Sequence, residues 1–260
     1  MKTPKTARPV HANRGIESAY RKALSSLIEE MARSAEYWLT AGYRANEPRM
    51  AELAQDASPA NAIKAIIAKF ARRWFKRFED SAPIIADAYV KKMFKASNSA
   101  FRAALKDAGW AVEFKMSRAM QDALNASIAE NVALIKSIPE QYLTQVEGIV
   151  MRSYASGRDL ETMVKELKAL YPKAENRAVL IARDQSNKAN AVVVRARQLE
   201  LGIEYAVWQH SHAGRVPRPD HVAAHGKRYK VAEGCLISGE YILPGEKINC
   251  RCSARSILPI

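Results

Sequence analysis

From Arg14 to Leu199 apolar residues return at three- and four-residue steps in one stretch after another, and this periodicity confines most of the chain to amphipathic helix. Ile16, Tyr20, Leu24, Leu27, Ile28, Met31, Ala35, Trp38 and Leu39 form the first such face, and Asn46 to Pro59, with two prolines and Ser58, breaks it. A second helix over Ala60 to Asp80 buries Ile63, Ile66, Ile67, Phe70, Trp74 and Phe78. Its other side carries Lys64, Lys69, Arg72, Arg73, Lys76 and Arg77, which reads either as a phosphate-facing stripe or as an ordinary solvated face.

Pro83 suits the first turn of a third helix reaching about Asp107, with Ile85, Tyr89, Phe94 and Phe101 as buried candidates. Trp110 to Met116 alternates like a short extended piece. Ser117 is placed to cap a helix that runs through Ile138 and stops at Pro139; Tyr142, Val146, Ile149, Val150 and Tyr154 form another stripe closed by Ser156-Gly157. Asp159 caps a short helix with Leu160, Met163, Val164, Leu167 and Leu170, ended by Pro172. A long helix follows whose stripe, Val179, Ala182, Ser186, Ala189, Val193, Ala196 and Leu199, is narrow and rich in small side chains. Small residues let another element approach closely, so this helix is expected at the centre of the packing. Its polar run, Arg183, Asp184, Gln185, Asn187, Lys188 and Asn190, requires hydrogen-bond partners, for which the segment after Gly202 is the natural source.

That segment differs in kind. Trp208 to Cys252 holds four of the five histidines, all three cysteines and a dense set of Gly and Pro, so its backbone is shaped by specific turns and any special chemistry is expected there. Short strands are predicted near Tyr205 to Ser211, Lys227 to Val231 and Cys250 to Leu258. The expected architecture is mainly α, an extended helical N-terminal region followed by a small C-terminal α+β module. Its divisions are a mobile basic arm over 1–13, a partner-binding helical region over 14–173 and the terminal module over 174–260.

A chain of 260 residues with 48% apolar side chains can bury a proper core, and a net charge of +14 favours an anionic partner: nucleic acid, an acidic protein surface or a membrane face. No apolar run reaches membrane-spanning length, and the first residues lack the apolar centre of a secretion signal, so synthesis and first use in the cytosol are expected. An odd number of cysteines clustered near histidines suits reduced thiols or metal ligands better than a disulfide framework.

The histidines and cysteines can be arranged into a metal site. A short helix over Pro219 to His225 would set His221 and His225 at i and i+4 on one face, and a strand through Cys250-Arg251-Cys252 would send both thiols to one side. Together they offer the ligand set of a closed structural zinc site, although zinc knuckles usually separate their cysteines by two residues. The competing reading makes His221 a hydrogen-bonded turn histidine and Cys250 and Cys252 small buried fillers. A metalloprotease is disfavoured because Val222 stands where a general-base Glu is needed. A nuclease reading would use His212, His221, Arg218, Lys227 and Arg228 on a phosphodiester, and a plain DNA-binding role would use the Arg72 to Arg77 face. Glycine-rich nucleotide-binding patterns are absent from the sequence, so no ATP-driven role is expected.

The order ARDQSNKANA at Ala182 to Ala191, RARQLELGI leading to Trp208, then PRPDHVAAHGKRY and PGEKINCRC resembles the phage Mu F-like family of head-morphogenesis (minor head or minor capsid) proteins, over about the last third of the chain. The family pattern falls on Arg183, Gln185, Trp208, Arg218, His221, Gly226, Pro244, Asn249, Cys250, Arg251 and Cys252. His225 stands where many members have Asn, and His210, Ser211 and His212 stand where many carry an acidic residue. The resemblance implies a component of the virion head without enzymatic activity or cofactor, assembled in the host bacterial cytoplasm. It would associate with the portal protein, with major capsid or scaffold protein and with packaged double-stranded DNA, and not with a membrane.

Overall fold

The computed structural model describes residues 4–46, 59–156, 160–212 and 216–259. The break over residues 47–58, the Gly157 stop and the Asp159 cap lie outside the described residues. The helices are α1 (Arg14–Ala45), α2 (Pro59–Asp107), α3 (Arg118–Ala155), α4 (Leu160–Lys168), α5 (Tyr171–Glu200) and the short α6 (Pro219–Ala223). The strands are β1 (Tyr205–Gln209), β2 (Arg228–Lys230), β3 (Cys235–Ile237), β4 (Glu240–Ile242) and β5 (Ser253–Ser256). The architecture is therefore mainly helical with small antiparallel sheets near the C-terminus. Among the described residues no helix is long and apolar enough to cross a membrane.

Two prolines expected to separate helices lie inside them instead. An interior proline removes one backbone hydrogen bond and crowds the preceding turn at a cost of about 3 kcal/mol. Pro83 faces solvent, where the carbonyl it strands can bind water, while Phe78, Ala82, Ala86, Tyr89 and Val90 around it are buried. Around Pro139 the apolar face also runs on unbroken through Ile135, Ile138, Tyr142, Leu143 and Val146, and the Ser137 hydroxyl donates to the Leu134 carbonyl one turn before it. Burial of a continuous stripe outweighs the local penalty in both places. The Ser117 cap is formed, its hydroxyl accepting from the Met120 amide at 3.1 Å. Pro172 stands in the first turn of α5, where its missing N–H has no partner to lose.

The chain divides into two compact units that interleave along the sequence. One comprises Tyr20–Ala86 and Glu130–Ile181, the other Met1–Ala19, Asp87–Ala129 and Ala182–Ile260. In the first, the predicted face of α1 is buried from Tyr20 to Leu39, except that Trp38 is 48% exposed. Gly42 receives α2 so closely that a Cβ there would stand 2.8 Å from the Ile66 Cδ1. The Tyr20 hydroxyl donates to Asn131 Oδ1 at 2.9 Å and the Trp74 indole to Ser34 Oγ at 3.3 Å, so the polar parts of these large side chains are satisfied inside the bundle.

The second unit contains the sheets. Strand order is β2-β1-β5, all antiparallel, with Ala206 opposite Tyr229 on one side and Ser256 on the other. Strands β3 and β4 form a separate hairpin; periodicity gives no sign of it, because three-residue strands are too short to show alternation. Trp110 to Met116 forms no strand. Residues 4–13 are not a free arm. Thr6 bridges Ile257, the Ala7 amide donates to the Ser256 carbonyl at 3.0 Å, and the Leu258 amide donates to the Lys5 carbonyl at 2.9 Å, which covers the outer edge of β5. Ala7 and Val10 are buried in the same apolar cluster as Phe101, Leu105, Ile203, Trp208 and Tyr229. The arm packs because its few apolar side chains fall onto that cluster, a pattern masked in the sequence by the basic residues between them.

Helix α5 runs through this core, and several of its polar side chains are partnered, although Asn187 Nδ2 is buried without a hydrogen-bond partner among the described residues. Ser186 shares a hydrogen bond with the Tyr89 hydroxyl at 3.0 Å. Asn190 accepts from the Ser97 hydroxyl and donates to the Val10 carbonyl, both at 2.9 Å, and Gln198 donates to Ser256 Oγ at 2.8 Å. Near its end the buried face drifts away from the expected stripe. Leu199 is 47% exposed while Arg197 is buried, because the guanidinium finds Asn98 Oδ1 and the Lys115 carbonyl at 2.8 Å each, pairs with Glu200, and lies over the Phe114 ring at 4.5 Å.

Candidate functional site: a histidine and two cysteines beneath Trp208

Arg218 and Pro219 start α6, Arg218 in extended conformation as its N-cap and Pro219 at the first helical position. The helix lasts five residues and Ala224 closes it. Within that turn Asp220 is held by its own chain, accepting from the His221 amide at 2.8 Å and from the Ser238 hydroxyl at 3.2 Å. The hydrogen bonds from His221 and Ser238 keep its carboxyl below the usual range against the opposing effect of burial. His221 is thereby aimed inward and is buried at 3% exposure.

The loop from Pro244 to Asn249 delivers the sulfurs. Gly245 at φ +87° lies against α5, where a Cβ would meet the Ala191 Cβ at 2.8 Å and the Asn187 carbonyl oxygen at 3.3 Å. This is the close approach that the small residues of α5 predict. Asn249 adopts φ +58°, a left-handed conformation that Asn tolerates better than most residues, and its amide donates to Asp184 Oδ1. Arg218 binds the loop from the other side, Nη2 donating to the Ile248 carbonyl at 2.9 Å. Fixed at both flanks, the chain turns Cys250 and Cys252 toward His221, and Sγ of each lies 3.5 Å and 3.6 Å respectively from His221 Nδ1. The segment precedes β5 and is not itself a strand, yet both thiols share one side as expected and are buried, with Arg251 half-buried.

Trp208 forms the lid of this cluster. Its ring is fully buried, edge-on to the His221 imidazole with centroids 5.2 Å apart, and 6.4 Å from the Tyr229 ring. Among the described residues the indole N–H finds no nitrogen or oxygen acceptor, and its influence is felt at Cys252, where it favours the thiolate. A hydrogen bond from the Cys252 thiol holds the Cys250 thiol down at about 5, whereas sharing that proton and burial push the Cys252 thiol up. All three cysteines are free.

His225 does not join them. Because α6 ends at Ala223, the i, i+4 relation never forms; the His225 amide bonds to the Val222 carbonyl in a tighter turn and the side chain is exposed. It belongs to a second group of imidazoles. His225 Nδ1 accepts from the His210 amide and His210 Nδ1 from the His212 amide, both at 3.1 Å, with the His212 ring 4.7 Å from His210 and 5.2 Å from His225. Gly226 at φ +83° follows, its amide on the Trp208 carbonyl at 2.9 Å.

Of the other motif residues, Gln185 is buried beside Asp184, and Arg183 is half-buried and close enough to Arg251 that its charge, after burial, lowers the Arg251 pKa. Asp184 and Asp220 do not stand out as site residues in the sequence. For Asp184 a signal is present, a carboxylate within the polar run of a core helix; for Asp220 the adjacent proline and histidine give no indication of its role.

Residues 144–255 match the family described as Phage Mu protein F like protein. A protein of Haemophilus influenzae described only as uncharacterized is 29% identical over 253 residues, which cover 94% of this chain and 54% of that protein. The chain therefore spans about half the length of this relative. No solved structure gives a significant match.

Proposed function

We propose, from the match of residues 144–255 to the phage Mu F-like family, that the protein acts in head morphogenesis of a tailed bacteriophage as a minor head component. In this reading it associates with the portal and the capsid interior and serves DNA packaging or delivery. The observation that carries it is the burial of Trp208, His221, Cys250 and Cys252. Residues of the shared motif that face inward hold a fold together, and a phosphodiester cannot reach His221 for proton transfer while two sulfurs and an indole enclose it. The reading is therefore non-enzymatic.

Co-expression with the portal protein of the same phage tests it. A stoichiometric complex that survives size exclusion is expected; portal rings free of this chain, together with particles that lack it, would refute the assignment.

A second reading, contact with packaged DNA, is favoured by one specific surface. Lys69, Arg72, Arg73, Lys76 and Arg77 line a hollow of about 800 Å³ around Trp74, in whose wall Glu30 and Asp80 are the acids among the described residues. Duplex binding through this face would weaken steeply with salt, and charge reversal at Arg72 and Arg73 would reduce the slope by about 1 for each phosphate that is no longer neutralised. Salt-independent binding would remove the face from consideration.

A further inference from the structure

The sulfur and nitrogen atoms beneath Trp208 have the spacing of a coordination sphere. An ion held tetrahedrally at about 2.3 Å from sulfur and about 2.05 Å from nitrogen keeps each N···S pair about 3.6 Å apart and the two sulfurs about 3.8 Å apart. His221 Nδ1 stands 3.5 Å from Cys250 Sγ and 3.6 Å from Cys252 Sγ, and the three ligand atoms all lie within 4.8 Å of one another. A single ring nitrogen has one lone pair or one proton and can serve only one sulfur well by hydrogen bonding. Two sulfurs at nearly equal distance are instead what a shared centre produces.

We propose that His221 Nδ1, Cys250 Sγ and Cys252 Sγ bind one zinc-class divalent ion, with a solvent molecule as the fourth ligand. Two thiolates and an imidazole select a borderline-soft ion over magnesium or calcium. The surroundings fit such a centre. The ligands come from two separate segments, α6 and the turn before β5, each fixed by its own hydrogen bonds: Asp220 on the His221 amide, Asp184 on the Asn249 amide, and Arg218 on the Ile248 carbonyl. The buried indole N–H of Trp208 lacks a nitrogen or oxygen acceptor among the described residues, and its ring lies against this cluster, 5.2 Å from the His221 imidazole. Cys252, at 8%, is the most exposed of the three. The ion would tie α6 to β5 and would stabilise the fold whatever the protein's role in the head.

The test uses the full chain, purified without chelator from zinc-supplemented cells. One zinc per chain is expected. Exchange for cobalt(II) should give the visible bands of a tetrahedral ion together with a thiolate-to-cobalt charge-transfer band of two-sulfur intensity. Cys250→Ser, Cys252→Ser and His221→Asn should each lower occupancy to below about 0.1 per chain, while His225→Gln retains a full equivalent. Should those variants fail to fold, the wild type still decides: chelator should raise alkylation of Cys250 and Cys252 about tenfold or more and leave Cys235 unchanged. Wild-type protein that carries no zinc and shows no thiolate band with cobalt overturns the proposal, as does metal that persists in both cysteine variants.

Discussion

Gly245 and Ala191 meet so closely that a methyl group on the glycine would stand 2.8 Å from the alanine Cβ. The contact joins the loop carrying the cysteines to the central helix, and Gly245 also holds φ at +87°. Gly245→Ala combines left-handed strain with overpacking and should destabilise the protein by about 2 to 4 kcal/mol in urea unfolding. Gly202→Ala, at positive φ with open space around it, should cost only about 1 kcal/mol. Equal losses at the two positions would show that the approach to Ala191 is not tight.

Trp208→Ala removes a fully buried indole from between His221 and Tyr229. The expected loss is about 3 to 5 kcal/mol, read from the denaturant midpoint. A loss under about 1 kcal/mol, the range of surface changes, would contradict the packing described.

Arg197 joins Asn98, Lys115 and Glu200 while lying over Phe114. A lysine keeps the charge but cannot reproduce a planar fork stacked on a ring, so Arg197→Lys should cost about 2 kcal/mol and Arg197→Ala about 3 to 5 kcal/mol. Thermal unfolding of the two variants side by side checks the order.

Asn190 bridges Ser97 and the Val10 carbonyl. Asn190→Leu leaves a buried hydroxyl and a buried carbonyl without their partner, for about 1 to 3 kcal/mol at each. Val10→Asp should loosen the same segment. Hydrogen exchange at the Ala7 amide, which bonds to Ser256, reports the loss in either variant.

Burial, followed by the neighbouring His212, His221 and His225, lowers the pKa of His210 below its ordinary 6.5. The folded state therefore binds the proton less readily than the unfolded chain. The neutral ring's contribution is intact above about pH 6.5 and is lost as pH falls below it. Stability should decline as pH falls from about 6.5 through the lowered pKa of the folded state, and His210→Gln should flatten that slope in denaturation series. An unchanged slope would mean that other groups govern the decline.

Much of this is legible in the residues. The helical faces of α1 and the first half of α2, the Ser117 cap, the Gly202 stop, strands β1 and β2, and the crowding against α5 follow from periodicity and turn chemistry alone. Pro83 and Pro139 mislead because a local penalty of a few kcal/mol is outweighed by burial that only the folded packing reveals. At the site, alternation foretells that the Cys250 and Cys252 thiols share one side, but their meeting with His221, 29 and 31 positions away, is visible only in the folded chain. His225 separates because a helix two residues shorter than expected decides which way an imidazole points. The ties made by Asp184, Arg218 and Asp220 join residues 18 to 65 positions apart, beyond the reach of any spacing rule.

The interleaved second unit has a consequence for how such a region can be exchanged between homologous chains. The stretch that matches the family, residues 144–255, omits Ala7, Val10, Phe101 and Phe114, which line the same interior or stack within it. Importing only that stretch would leave the incoming Asn190 opposite an unmatched Ser97 hydroxyl and Val10 carbonyl. Exchange should therefore succeed between close cousins whose first dozen residues and mid-chain aromatics already agree, and should yield insoluble chimaeras elsewhere.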